Sequence, residues 1–256
     1  MQFQDVFCRK EKKYLLTAEQ YRHIRDGIMA HDMHPDEFGL HTIASLYYDT
    51  PDYQLIRHSL EKPVYKEKLR LRVYGSQVLP DDTAYVEIKK KFKGIVYKRR
   101  IATPLPEAVA SLQEGVFHED HGQIGREINF FLQRYPLSPA CWLGYEREAF
   151  YSDTENPRIT FDENIRFRSD GWDMTLPPTG QRLVEEGLYL MEVKAPFALP
   201  LWLLDIMAEC GARNRSFSKY GIAYAEHLHT ANPLLVPQTS PIITAYERNF
   251  DHGQVF

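Results

Sequence analysis

The chain has 256 residues, 43% of them hydrophobic and 26% charged, and a formal net charge of −4. Those proportions are ordinary for a soluble globular protein, and the length suits one large domain or two small ones. The acidic balance argues against general binding of nucleic acid or membrane surfaces, which a basic excess would favour.

Taken in chain order, Phe7 to Leu16 alternates around Arg9, Glu11 and Lys13 and reads as a strand. Thr17, with Gln20 three residues on, forms a capping-box pattern opening a helix to about His31. His31 to Gly39 is a polar loop, and Thr42 to Asp49 is a second strand. Thr50-Pro51 then starts a short helix with Pro near its first turn. KEKLRLRVYG follows with strict period two: Lys66, Lys68, Arg70 and Arg72 share one face, and Leu69, Leu71 and Val73 the other. Tyr85 to Lys91 and Ile95 to Ile101 form a hairpin through Lys93-Gly94, with Glu87, Lys89 and Lys91 on one face and Lys98 and Arg100 on a face of the next. Helical patterns occupy Pro106 to Gly115 and His121 to Tyr135. Strand patterns return at Trp142 to Tyr151, at Arg158 to Asp162 and, after a turn at Asp162-Glu163-Asn164, at Ile165 to Arg168. Leu188 to Lys194 is a further strand, Leu199 to Gly211 a helix, and FSKYG leads into a helical stretch to His229. The tail after Pro233 is Pro-rich and polar and is expected to pack loosely.

No linker or repeat divides the chain, so one domain is expected over 1–232, with a C-terminal tail over 233–256. The sixteen tyrosines and about eight strands interleaved with helices point to an α+β fold. The expected architecture is a closed eight-stranded antiparallel β-barrel with a charged interior and helices packed outside. Cys8, Cys141 and Cys210 are widely spaced without a C-x-x-C pair and read as thiols in a reducing compartment. No signal-peptide pattern opens the chain and no apolar run approaches a membrane span of about 20 residues, so a cytoplasmic protein is expected.

The inward face carries the chemistry. Lys13, Arg70, Arg72, Lys89, Lys98, Arg147, Arg158, Lys194 and Lys219 give it nine positive charges, and Glu11, Glu87 and Glu192 give three negative ones. The set sums to +6, which leaves −10 on the rest of the chain. A basic site in an acidic shell suits a small polyanion such as a phosphate chain, and the glutamates suggest a divalent metal travelling with it. Any one alternating strand is more simply a half-buried strand with a wet face. The dominance of Arg and Lys, and the E-x-K pairs Glu11/Lys13, Glu87/Lys89 and Glu192/Lys194, weaken that reading for the set. The histidine clusters around His31 and His34 and around His118 to His121 lack zinc-site spacing. No Gly-rich phosphate loop and no G-x-S-x-G occurs.

RKEKKYLL, LYYDTPD, KLRLRVYG, YVEIKKK with VYKRR, GYEREAF, RITFD, LMEVKAP and FSKYG occur in this order. Together they resemble the polyphosphate polymerase domain of the vacuolar transporter chaperone (VTC) family, within the triphosphate tunnel metalloenzymes. The resemblance covers Phe7 to Gly221. It implies an eight-stranded tunnel, ATP and polyphosphate or triphosphate as ligands, and a Mn²⁺ or Mg²⁺ cofactor. By position it implies phosphate-holding roles for Lys13, Arg70, Arg72, Lys89, Lys98, Arg147, Arg158 and Lys219, with Lys194 beside the metal glutamate and Tyr145 lining the tunnel. Glu192 is the implied metal ligand, with Glu87 and Glu11 as candidate helpers.

The wider superfamily opens with E-x-E-x-K, whereas this chain has Arg9, Glu11 and Lys13. The lost acid resembles the polymerase branch, and the retained Glu11 keeps a hydrolase open. The sensor domain and membrane helices of the eukaryotic complex find no counterpart in these residues, so their regulation is not implied. The implied activity is transfer of the ATP terminal phosphoryl group onto a polyphosphate chain, releasing ADP. The alternatives are a triphosphatase or polyphosphatase of the same fold, and a non-catalytic polyphosphate- or nucleotide-binding protein.

Overall fold

The computed structural model describes residues 10–93, 95–118, 121–153, 157–196 and 198–229. Arg9 and Cys8, the Gly94 half of the expected hairpin turn, Glu119 and Asp120 of the histidine cluster, and the tail after Pro233 lie outside the described residues.

Ten strands form one sheet: β1 Lys10–Thr17, β2 His34–Pro35, β3 His41–Asp49, β4 Tyr65–Tyr74, β5 Thr83–Phe92, β6 Ile95–Pro104, β7 Ser138–Tyr151, β8 Arg158–Arg168, β9 Gln181–Arg182 and β10 Leu188–Ala195. Among the described residues six helices accompany them: α1 Ala18–Ala30, α2 Gln54–Leu60, α3 Leu105–Glu114, α4 Gly122–Arg134, α5 Leu201–Glu209 and α6 Lys219–Ala223, the last continued by a π-helical turn over Tyr224–Leu228. The main path runs β1-β10-β8-β7-β3-β4-β5-β6, with β2 on β7 and β9 on β8, and each pair is antiparallel.

The expected closed eight-stranded barrel is therefore corrected to an open sheet of ten strands among the described residues, in which β1 and β6 are the ends and do not pair. A physical reason lies at the free edge of β1. Tyr14 bridges Asn214 there, and the Lys13 carbonyl accepts from the Arg215 N–H at 2.8 Å, so a loop occupies the backbone groups that closure would need.

Local sequence explains the elements. In β4 the fully buried Leu69, Leu71 and Val73 alternate with Lys68, Arg70 and Arg72, as period two requires. The Thr17 hydroxyl accepts from the Gln20 N–H at 3.3 Å and the Gln20 side chain accepts from the Thr17 N–H at 3.0 Å, so the capping box of α1 forms as read. Pro51 does not open α2, which begins at Gln54 after Tyr53 at φ 57°. The Asp49 carboxylate sets that start by accepting the N–H groups of Thr50, Leu55 and Ile56 at 2.9, 2.8 and 3.0 Å. The turn expected at Asp162-Glu163-Asn164 is instead a bulge inside the continuous β8. Gly144 and Glu146 of β7 face Arg166 and Glu163, and Asn164, at φ 48°, supplies the extra residue, since Asn tolerates the left-handed region.

Three apolar clusters hold the sheet. One joins the outer faces of β3, β4 and β5 to α3 and α4 through Leu69, Leu71, Val86, Ala108, Ile128 and Phe131. A second joins β1, β8 and β10 to α1 and α5. The third lies on the inner face: Ile43, Leu143, Tyr145, Ile165 and Leu190 pack against Ile56 of α2 and against Tyr220, Ile222 and Tyr224. The inner face is thus only partly charged, and α6 fills one side of it.

Gly144 has no room for a side chain, because a Cβ there would sit 2.2 Å from the Trp142 ring. That ring is buried and lies 4.1 Å beneath the Arg168 guanidinium. Gly144→Ala is expected to lower stability by about 2–3 kcal/mol, read as a shift in the urea midpoint. A change below about 0.5 kcal/mol would show that Trp142 can move aside freely.

Candidate functional site

Residues paired across antiparallel strands point the same way, so register fixes what meets on the inner face. Lys68, Lys89 and Lys98 form one rung across β4, β5 and β6. Tyr47, Arg70, Glu87 and Arg100 form the next, and Ser45, Arg72 and Tyr85 the one after. Lys89 of β5 also feels the charges of Glu11 and Lys13 on β1 and of Lys194 on β10. Strands from opposite ends of the sheet order are therefore within electrostatic reach, so the open sheet curls until one charged wall faces the other.

Glu87 is the hub of the first wall. Only 1% exposed, it accepts from Arg70, Lys98 and Arg100, each at 2.6 Å, with Arg72 at 4.0 Å. Burial would raise its carboxyl pKa, but Arg70, Arg72 and Lys98 together pull it well below the usual range. Arg70 also donates to the Tyr47 hydroxyl at 3.1 Å, and Arg72 to the Ser45 hydroxyl at 3.1 Å and to Tyr145 at 3.4 Å.

Asp162 is the matching hub of the second wall. It is fully buried on β8, accepts from Arg147 at 2.5 and 2.7 Å, and is paired with Lys219. Arg147 and Lys219 also lie over the Tyr145 ring, at 5.1 and 4.2 Å. Lys219 reaches this point because α6 is held inside the sheet: the Tyr220 hydroxyl donates to Asp49 at 2.9 Å, and its ring stacks on Tyr47 at 4.8 Å.

Between the walls, Lys13 bridges two carboxylates, Glu11 at 3.3 Å and Glu192 at 3.1 Å, and Lys194 meets Glu192 at 3.5 Å. Burial opposes the charge of Lys13, yet Glu192 and Glu11 outweigh it and raise the pKa. Glu192 stays ionised far below the usual range, since Lys13, Lys219, Lys194 and Arg147 together overcome its desolvation. Glu11 is likewise lowered against burial, chiefly by Lys89 and Lys13. Thr160 faces Glu192 across the β8–β10 pairing, and its hydroxyl, in a residue 2% exposed, has no hydrogen-bond partner among the described residues. Arg158 sits apart, with a side chain 57% exposed and held by Asp36 at 3.2 Å.

The three-lysine rung carries an excess of charge. Burial and the neighbouring cations lower Lys68 to about 7. Lys98 falls to about 8 by burial, despite Glu87, and Lys89 is lowered by burial with Lys13 and Arg70 against the opposing pull of Glu11. Cations that depress one another are short of anions, and a polyanion entering here would relieve them.

Among the described residues, no three His, Cys, Asp or Glu side chains are grouped to hold a metal ion. A Mg²⁺-like ion commonly needs only one or two carboxylates, with substrate oxygens completing its shell. Glu11 and Glu192, both ionised and separated by one ammonium, fit that donor set, and the unpartnered Thr160 hydroxyl adds an oxygen nearby. Both oxygens of Glu87 are held by cations at 2.6 Å, more tightly than the two oxygens of Glu192, which meet Lys13 at 3.1 Å and Lys194 at 3.5 Å.

The fold thus gathers Lys13, Arg70, Arg72, Lys89, Lys98, Tyr145, Arg147, Lys194 and Lys219 around Glu11, Glu87 and Glu192. The sequence reading passed over Ser45, Tyr47, Lys68, Arg100, Thr160 and Asp162 as site residues. Period two places Lys68 and Arg100 on the same faces as residues that were chosen, and Thr160 and Asp162 on the same face as Arg158 in RITFD.

The family model described as the VTC domain matches residues 8–228. The chain belongs to the VTC domain family. That membership agrees with the ordered motifs read along the chain. No curated protein matches the chain. Solved structures do. A candidate adenylate cyclase from Bacillus halodurans covers 84% of this chain and 95% of its own at 12% identity, with a TM-score of 0.50, a likeness of fold. A candidate adenylate cyclase from Vibrio parahaemolyticus covers 84% and 97% at 13% identity, with a TM-score of 0.45. A protein from Pyrococcus horikoshii covers 86% and 99% at 13% identity, also with a TM-score of 0.45. Among the described residues no helix of this VTC domain protein is long and apolar enough to cross a membrane.

Proposed function

We propose that this VTC domain protein transfers the terminal phosphoryl group of ATP onto a growing polyphosphate chain. The observation that carries the reading is the state of the inner carboxylates. Glu11, Glu87, Asp162 and Glu192 are each held below the usual carboxyl range by adjacent cations. None is poised near neutrality to deprotonate a water, as a general base would be. An acceptor phosphate is already anionic and needs no base, so carboxylates held ionised as counter-ions to the inner cations are in keeping with transfer to phosphate.

In this reading the cations act in two groups. Arg70, Arg72, Lys89 and Lys98 hold one stretch of the phosphate chain, and Lys13, Arg147, Lys194 and Lys219 hold the other. Glu87 and Asp162 fix the guanidinium groups of Arg70 and Arg147 before substrate arrives, so little reorganisation accompanies the spread of charge in the transition state. Arg158, at the exposed end of β8, meets the chain as it enters or leaves. Glu192 with Glu11 would hold a Mn²⁺ or Mg²⁺, which when bound supplies Lewis-acid polarisation of phosphate oxygens. Glu87 balances charge. A cytoplasmic setting, where ATP is abundant, fits this substrate.

The test is incubation with ATP and Mn²⁺ followed by sizing of the phosphate products. Chains should lengthen as ADP accumulates, with inorganic phosphate a minor product. Stoichiometric inorganic phosphate with no chain longer than the substrate would transfer the same residues to a hydrolase. Stable binding without metal-dependent loss of ATP would leave a binding protein.

A further inference from the structure

Lys68, like Lys89 beside it, has no ion-pair partner on the charged wall among the described residues. Among the described residues Lys68 makes no hydrogen bond and no ion pair, and the Tyr220 ring lies 5.7 Å from its ammonium. Its register partner is Lys89, whose own partner is Lys98. The charges that act on it most strongly come from four elements. Lys89 comes from β5, Lys66 from its own strand and Lys13 from β1, all cationic, and Asp49 at the end of β3 opposes them as an anion. That carboxylate is already engaged by three backbone N–H groups and the Tyr220 hydroxyl. Lys98 differs, for it is tied to Glu87 at 2.6 Å.

A partly buried lysine surrounded by other lysines has two ways to lower its energy: lose its proton or gain an anion. We propose that Lys68 is a phosphate-binding residue of this channel, and that it binds the polyanion and a solvent proton together. The inference rests on the channel's being a polyphosphate site and adds a residue and a proton stoichiometry to it. In the free protein burial and the neighbouring cations bring the ammonium to half-neutralisation at about pH 7. A phosphate oxygen beside it favours the charged form, so binding above that pH draws in a proton, and affinity falls as pH rises until the bound form also titrates. Tyr220 positions the amine from below, as a ring face prefers the cation.

The experiment is calorimetric titration of inorganic tripolyphosphate, without metal or nucleotide, at pH 8 in two buffers of different ionisation enthalpy. Wild type should take up close to one proton more per tripolyphosphate than the Lys68 variants, above what Lys98 and the ligand's own ionisation contribute in every variant. Lys68→Met should lose that extra proton and bind roughly tenfold or more weakly, as expected for one lost charge-assisted contact. Lys68→Arg should restore the affinity without the extra proton, because a guanidinium stays charged. It also keeps the test decisive if the Met variant folds poorly. Arg72→Ala serves as the reference. Strong weakening by Arg72→Ala, with unchanged affinity and uptake in both Lys68 variants, would overturn the role of Lys68 alone. Unchanged binding in Arg72→Ala and in both Lys68 variants would overturn the channel reading itself.

Discussion

Glu87→Gln is expected to destabilise the free protein by about 3–5 kcal/mol, the usual loss when one partner is removed from a buried ionic cluster. The side chain keeps its shape, so packing does not supply the effect. What changes is that Arg70, Lys98 and Arg100 lose the carboxylate they all contact at 2.6 Å. Tripolyphosphate should return much of the lost stability, since it brings negative charge to the same wall. The pH dependence has a definite sign. The folded-state pKa of Glu87 lies well below its ordinary value of 4.5, so its contribution is full above that value and is lost as pH falls toward the folded pKa. Between about pH 5 and pH 3, wild type should therefore lose stability more steeply than Glu87→Gln. Urea midpoints of both proteins, with and without tripolyphosphate, measure all of this. A metal-ligand role for Glu87 predicts the reverse: normal stability and a changed metal requirement.

The same residue shows where sequence stops being informative. E-x-K spacing puts both members of a pair on one face, and for Glu11/Lys13 and Glu192/Lys194 they do meet, at 3.3 and 3.5 Å. For Glu87/Lys89 they do not, because residues directly across a strand pair are about 5 Å apart, nearer than a residue two positions along the same strand. Arg70 and Arg100 are those cross-strand partners, and they take the carboxylate. Alternation revealed each charged face, but the register that joins faces depends on hairpin lengths and on the bulge at Asn164. Closure was illegible for a similar reason: the β1 edge is taken by Asn214 and Arg215, about 200 positions away. The five-residue α6 is too short to show helical periodicity, so its place inside the sheet, and the meeting of Lys219 with Asp162, needed the structure. KEKLRLRVY was legible because its apolar side is fully buried and its alternation unbroken.

Glu192→Gln should separate from Glu87→Gln in every readout. Glu192 touches Lys13 at 3.1 Å and Lys194 at 3.5 Å, but Lys13 keeps Glu11, so one anion remains in the group. Stability should fall by less than in Glu87→Gln. Metal-free tripolyphosphate binding should be kept or tightened, because a carboxylate that repels phosphate has gone while its cations remain. Turnover should drop by at least about 100-fold, since a neutral amide is a poor ligand for a hard divalent cation and Glu11 alone leaves the donor set incomplete. The Mn²⁺ concentration for half-maximal activity should rise in any residual reaction. Steady-state rates across a Mn²⁺ series, beside metal-free calorimetry, give both halves of the result. Loss of tripolyphosphate binding in step with turnover would make Glu192 a support for Lys13 and Lys194, and the metal would then have to be held elsewhere. Retained binding with lost turnover separates the two tasks of this face: cations that hold the phosphate chain, and a carboxylate that serves the metal needed to move a phosphoryl group along it.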